Sequence, residues 1–235
     1  MKIGFFGDSF CSVLDKRHGG FATNGVWPTY ETYIKKLQNH YQAEIVNIGL
    51  AGSSIYDTIL MQITPFIQEQ TIPDVCIFVW TSKDRLFHKN VRDIVFTKII
   101  HGNETGPVWK AAEQYYRYLY DTELVDFQMK SAMYYFDNTI LPLFPPSTKI
   151  IHLWSYHEMW CWAGEYHYRW TNGLEIRPAL DRISISNGNT IGGVIGDPAW
   201  NHLDGEGRNE IVFNWIRDAI DNYSTGKLIT NELPG

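Results

Sequence analysis

The 235-residue sequence predicts an α/β fold, a three-layer α/β/α sandwich around a parallel sheet. Short apolar runs alternate with longer stretches of helical period, the order expected of a sheet with helices on both faces. Asp74 to Trp80 is apolar almost throughout, as a strand covered on both sides must be. No repeat or low-complexity linker divides the chain, so one domain over residues 1–235 is expected, with an aromatic-rich insertion around 155–200.

Taken in order, residues 2–6 read as a short buried strand that runs straight into Gly7-Asp8-Ser9. Trp27 to Tyr41 suits an amphipathic helix, with Trp27, Tyr30, Tyr33, Ile34 and Leu37 on one face and Lys35, Lys36 and Gln38 opposite. Glu44 to Leu50 is a second strand. Ser53 or Ser54 caps a helix that continues to about Gln70, with Pro65 as a kink. Asp74 to Trp80 is the third strand. Residues 108–141 carry a long helical pattern, read as two helices or one broken helix. Lys149 to Trp154 is a fourth strand. Ser155 to Asn201 reads as irregular, and the number of strands beyond residue 155 stays open. Glu206 to Tyr223 closes the chain as a helix striped by Ile211, Phe213, Trp215, Ile216 and Ile220.

Composition narrows the function. Hydrophobic residues make up 44% and charged residues 20%, the balance of a globular protein. The net charge of −6 and scattered basic residues give no field for nucleic acid. Three cysteines, Cys11, Cys76 and Cys161, make neither a disulfide framework nor a CxxC zinc pattern. Cys76 reads as a small buried residue. The opening apolar run is too short for a signal peptide or a membrane span, so a cytoplasmic or signal-less protein is expected.

In a parallel α/β sheet, functional residues gather beyond the carboxyl ends of the strands. Ser9, Gly52 and Thr81-Ser82-Lys83-Asp84 each follow a predicted strand, and His202 precedes the last helix, where a loop brings it to the same rim. A serine hydroxyl needs a positioned base, and histidine titrates near the working pH. Backbone N–H groups near Ser9 and Gly52 suit an oxyanion, because glycine permits close approach.

The same places resemble the blocks of the GDSL/SGNH hydrolases. Gly7-Asp8-Ser9-Phe10 resembles the first block, Asn47-Ile48-Gly49-Leu50-Ala51-Gly52 the second, and Asn201-His202-Leu203-Asp204-Gly205-Glu206-Gly207 the block of the catalytic histidine. They occur in the family's order across nearly the whole chain. The resemblance implies a flavodoxin-like parallel sheet and a cofactor-free serine esterase. Its substrates would carry small acyl groups, such as O-acetyl on carbohydrate. Ser9 is then the nucleophile, His202 the base, and the N–H groups of Ser9 and Gly52 the oxyanion donors. The family's third block, Gly-x-Asn-Asp, has no asparagine counterpart in Trp80-Thr81-Ser82-Lys83-Asp84-Arg85, so Ser82 or Lys83 stands in as donor or the donor is missing. The acid expected three residues before the histidine is replaced by Ala199. Asp197, five residues before, orients the imidazole if the loop folds back, and reads equally as a turn starter before Pro198.

Each assignment has a plainer counterpart. Asp8 or Ser9 suits the N-cap of a helix beginning at Phe10, and Gly52 suits an ordinary turn. His202 suits a surface histidine capping the last helix. Lys83, Asp84 and Arg85 read as a solvated charge cluster. His152, His157 and His167, with Glu158 and Glu165, match no helical metal-ligand spacing, so no metal is expected. Trp160, Trp162 and Tyr166, among six aromatics in Tyr156–Trp170, form a candidate sugar-stacking face or, equally, core or subunit contact. The alternative to an enzyme is a catalytically weak or inactive module on the same fold that binds glycans or serves as a structural or assembly protein; a homo-oligomer or larger assembly is open under either reading.

Overall fold

The computed structural model describes residues 1–12, 31–92, 94–95, 99, 104–155, 168–180, 183, 203 and 206–231. Its centre is a six-stranded sheet in which every pairing is parallel: β1 (Lys2–Gly7), β2 (Glu44–Asn47), β3 (Val75–Trp80), β4 (Lys149–Trp154), β5 (Leu174–Arg177) and β6 (Leu228–Thr230). The order β2-β1-β3-β4-β5-β6 extends the flavodoxin-like arrangement by one edge strand. The predicted α/β/α sandwich is thus the architecture the chain adopts.

Strand alternation sorts the core into two halves. Phe5, Val75, Ile77, Val79, Ile151 and Leu153 face one side, against α1 (Tyr33–Tyr41) and the last helix, α5 (Glu206–Asp221). Phe6, Cys76, Phe78, Trp80, Ile150 and Trp154 face the other, against the α2 rod (residues 55–68) and α4 (Thr122–Tyr135). β3 is buried at all six positions, as its apolar run requires. Helix α3 (Pro107–Tyr118) precedes α4, so the long helical pattern is two helices, broken at Leu119–Asp121.

Helix α1 begins later than its periodicity suggests. Thr32 caps it by accepting from the Lys35 N–H, and Trp27 and Tyr30 lie outside the described residues. The α2 rod accommodates Pro65 by widening. Ile55–Asp57 is α-helical, Thr58–Ile63 is a π segment, and Thr64–Gln68 closes it as α-helix. Pro65 has no N–H to give the preceding turn, and the Thr64 hydroxyl donates instead to the Ile59 carbonyl at 2.8 Å. Strand β5 falls inside the stretch read as irregular, and β6 follows the last helix, where none was expected. Among the described residues no helix is long and apolar enough to cross a membrane.

Candidate active site

The turn after β1 is organised by Asp8. Its Oδ1 accepts from the Phe10 N–H at 3.1 Å and from the Ser155 hydroxyl, just past β4, at 2.8 Å. The single 3₁₀ turn Ser9–Cys11 is therefore capped by Asp8, not by Ser9. Ser9 is half-buried, and among the described residues its hydroxyl engages no partner. Asp8 is fully buried, and its Oδ2 has no partner among the described residues.

The second block packs directly onto this turn. Leu50 N–H donates to the Gly7 carbonyl at 3.0 Å, and Gly49 N–H to the Cys11 carbonyl at 2.8 Å. Asn47 Nδ2 donates to the Phe5 carbonyl at 2.6 Å. Ser53 N–H closes a turn onto the Leu50 carbonyl at 3.1 Å. Gly52 takes φ 76° in that turn, a conformation costly for any residue with a side chain. Among the described residues the N–H groups of Ser9 and Gly52 donate to nothing.

Buried amides lock these loops together. Gln62 accepts the Gly7 N–H at 2.9 Å while its Nε2 donates to the Gly7 carbonyl at 2.8 Å and to Ser53 Oγ at 3.1 Å. Asn209 on α5 accepts the Tyr33 N–H at 2.8 Å and donates to the Leu203 carbonyl at 2.7 Å. The Tyr33 hydroxyl then donates to the Phe10 carbonyl at 2.9 Å. Phe10, Cys11 and Leu203 share one core cluster. The residue after Ser9 and the residue after His202 are thus joined through Tyr33 and Asn209. Neither Gln62 nor Asn209 carried any signal in the sequence, because an amide's role depends on partners far along the chain.

The third block differs from a solvated charge cluster. Lys83 is buried and pairs with Asp126 of α4 at 2.5 Å. That pairing, with Lys130 beside it, holds the Asp126 carboxyl below the usual range despite the opposing effect of burial. Asp84 accepts from the Tyr120 hydroxyl through Oδ1, and its carbonyl accepts from Tyr116. The Ser82 hydroxyl accepts the Asp84 N–H at 3.2 Å and donates to Asp84 Oδ2 at 3.4 Å. Ser82 is half-buried next to the buried Thr81, so its hydroxyl sits within this turn.

His152 is a core residue. Nδ1 accepts from Trp80 Nε1 at 3.1 Å, Nε2 lies 3.0 Å from the Asn172 carbonyl, and the ring stacks on Trp170 at 3.7 Å. Burial pushes its pKa down to about 3. Both nitrogens are occupied. Cys11 and Cys76 are buried free thiols, each pushed up by burial. His202, Asp197, Trp160, Trp162, Tyr166, Cys161, His157, Glu158, Glu165 and His167 lie outside the described residues.

No protein-family model and no curated protein matches the chain. Solved structures do resemble it in shape. A protein described as a GDSL-like lipase from Parabacteroides merdae is 17% identical at a TM-score of 0.32. An acetylxylan esterase from Geobacillus stearothermophilus is 18% identical at 0.31. Both matches cover 65% of this chain and 58% of theirs, under two thirds of those proteins' length. The acetyl xylan esterase AlAXEase is 18% identical at 0.30, over 98% of this chain and 77% of its own. A likeness at that level assigns no activity.

Proposed function

We propose that the chain is a serine esterase of the GDSL/SGNH type, cleaving small acyl esters such as O-acetyl groups on carbohydrate. The observation that carries this reading is the buried bridge from Phe10 through Tyr33 and Asn209 to Leu203. It ties the neighbours of Ser9 and His202 into one cluster at the carboxyl edge of the sheet. The Ser9 hydroxyl, relieved of capping by Asp8, attacks the ester carbonyl while His202 takes its proton. Asp197 orients the imidazole. The undonated N–H groups of Ser9 and Gly52 stabilise the oxyanion, while the Ser82 hydroxyl, expected as a third donor, gives its proton to Asp84 instead. His202 then protonates the leaving alcohol and activates the water that releases the acyl group. No cofactor takes part.

A fluorophosphonate probe tests this. Ser9 is expected to be labelled, and Ser9→Ala and His202→Ala to lose both label and p-nitrophenyl acetate turnover. A second reading has its own support. The third-block lysine is spent on Asp126, and no asparagine donates there. Loss of one oxyanion donor costs about 10²–10³ in turnover. If neither labelling nor turnover occurs between about pH 6 and 9, the chain is a non-catalytic binding module on this fold.

A further inference from the structure

A cleft opens beside the Gly52 turn, between the start of α2, the loop after β3, and helices α3 and α4. Tyr56, Arg85, Phe87, Tyr115, Tyr120 and Gln128 are among the residues lining it. Arg85 Nη1 reaches the Ser53 carbonyl at 3.5 Å, which sets the cleft wall against the residue after Gly52.

Two features define what fits. First, the charge in the cleft is largely turned inward. Lys83 is paired with Asp126, and Asp84 is held by Tyr120 and Ser82. Arg85 reaches the Ser53 carbonyl, so a charged ligand competes with contacts already made, and recruiting Lys83 would mean breaking a buried pair. Secondly, Tyr56 and Tyr115 are half-buried, and among the described residues their hydroxyls make no hydrogen bond. Phe87, at 38% exposed, adds an apolar ring at the mouth. An alkyl or acyl chain would cover those phenols and leave them unsatisfied, which disfavours it. A neutral ring that carries its own hydroxyls both stacks and completes the bonds.

The geometry points to this cleft as a subsite for a neutral saccharide, with Tyr56 and Tyr115 as its contacts. The inference deepens the esterase reading and rests on it for the placement of an ester near Ser9, but saccharide binding itself needs no catalysis. The test uses the full chain carrying Ser9→Ala, titrated with xylobiose, cellobiose and N,N′-diacetylchitobiose by saturation-transfer NMR and calorimetry. At least one disaccharide is expected to bind. Tyr56→Ala and Tyr115→Ala should each weaken it about fivefold, the scale of one lost ring contact. Tyr56→Phe and Tyr115→Phe, which keep the ring and the fold, should weaken it less. Tyr118→Ala, on the exposed side of α3, should bind as the parent does.

Saccharide binding that weakens in the two alanine variants, in a protein that fails the fluorophosphonate test, upholds the subsite and removes the esterase. Labelling at Ser9 with no binding of any disaccharide, or binding indifferent to both tyrosines, overturns the subsite and leaves the esterase standing.

Discussion

A methyl group added at Gly49 has nowhere to go. It would lie 2.4 Å from Cys11 Sγ and 2.9 Å from the carbonyl oxygens of Asp8 and Gly7. Two of these three obstacles are backbone, which cannot rotate away. Gly49→Ala is therefore expected to destabilise by about 1–3 kcal/mol, lowering Tm by roughly 3–10 °C in calorimetry. It should also slow Ser9 labelling, because the strain falls on the Asp8–Ser9 turn. An unchanged melting temperature would show that the two loops are not packed as described. At this scale much of the candidate site was legible. Gly52 stood out because close approach and tight turns demand particular residue types, whereas Gly7-Asp8-Ser9 and Gly49 were legible mainly within the blocks that resemble a known family. The cap was legible only as a choice between Asp8 and Ser9. Asp8 fills it because its second contact, Ser155, lies 147 residues away. Lys83 looked solvated for the same reason: Asp126 is 43 positions along.

At the scale of elements, Asn209 couples α5 to α1 and to the segment that leads into α5. It is 2% exposed, so removing its amide strands the Tyr33 N–H and the Leu203 carbonyl without water. Asn209→Ala should cost about 1–3 kcal/mol for each stranded group. A positioning role predicts more: at a temperature where the variant is fully folded, phosphonylation of Ser9 should fall about tenfold, with kcat reduced and KM little changed. Equal labelling rates in parent and variant would reduce the bridge to a packing device. The elements most readable from sequence were those whose burial is one-sided or complete, namely β1, β3, β4, α1 and α5. Strand β5 was not readable, because Leu-Glu-Ile-Arg places a carboxylate where a core strand wants an apolar residue. Glu175 is nonetheless 5% exposed, and its Oε1 accepts from Arg177 Nε at 2.8 Å and Trp154 Nε1 at 3.3 Å. The Arg177 contact lies within β5, but the Trp154 bond forms only when β4 and β5 pair. Strand β6, three residues at the sheet edge, offers too short a pattern to register.

For the whole molecule, the consequence of this packing is a specific dependence of stability on acid. His152 sits in the middle of the sheet, stacked on Trp170 and bonded to Trp80 and Asn172, and burial depresses its pKa to about 3. In the unfolded chain the same ring titrates near 6.5. Above about pH 6.5 neither state binds the proton, and the stability of this arrangement is complete. Below it the unfolded chain takes up a proton that the folded ring refuses, so stability falls with pH until about pH 3. The slope approaches about 1.4 kcal/mol per pH unit. The Asp137 carboxyl, held low by Thr171, Asn172 and Tyr168 against the upward push of burial, adds its own loss only at lower pH, through the carboxylate range. The window between about pH 6 and 4.5 therefore isolates the histidine. His152→Phe keeps a ring against Trp170 but has nothing to protonate. It should be less stable at pH 7, since Trp80 Nε1 loses its acceptor, yet lose about 1–2 kcal/mol less than the parent between pH 6 and 4.5 in urea denaturation. Parallel curves for the two proteins would mean that the folded core tolerates a charged His152, which a ring sealed between two strands and an indole does not allow.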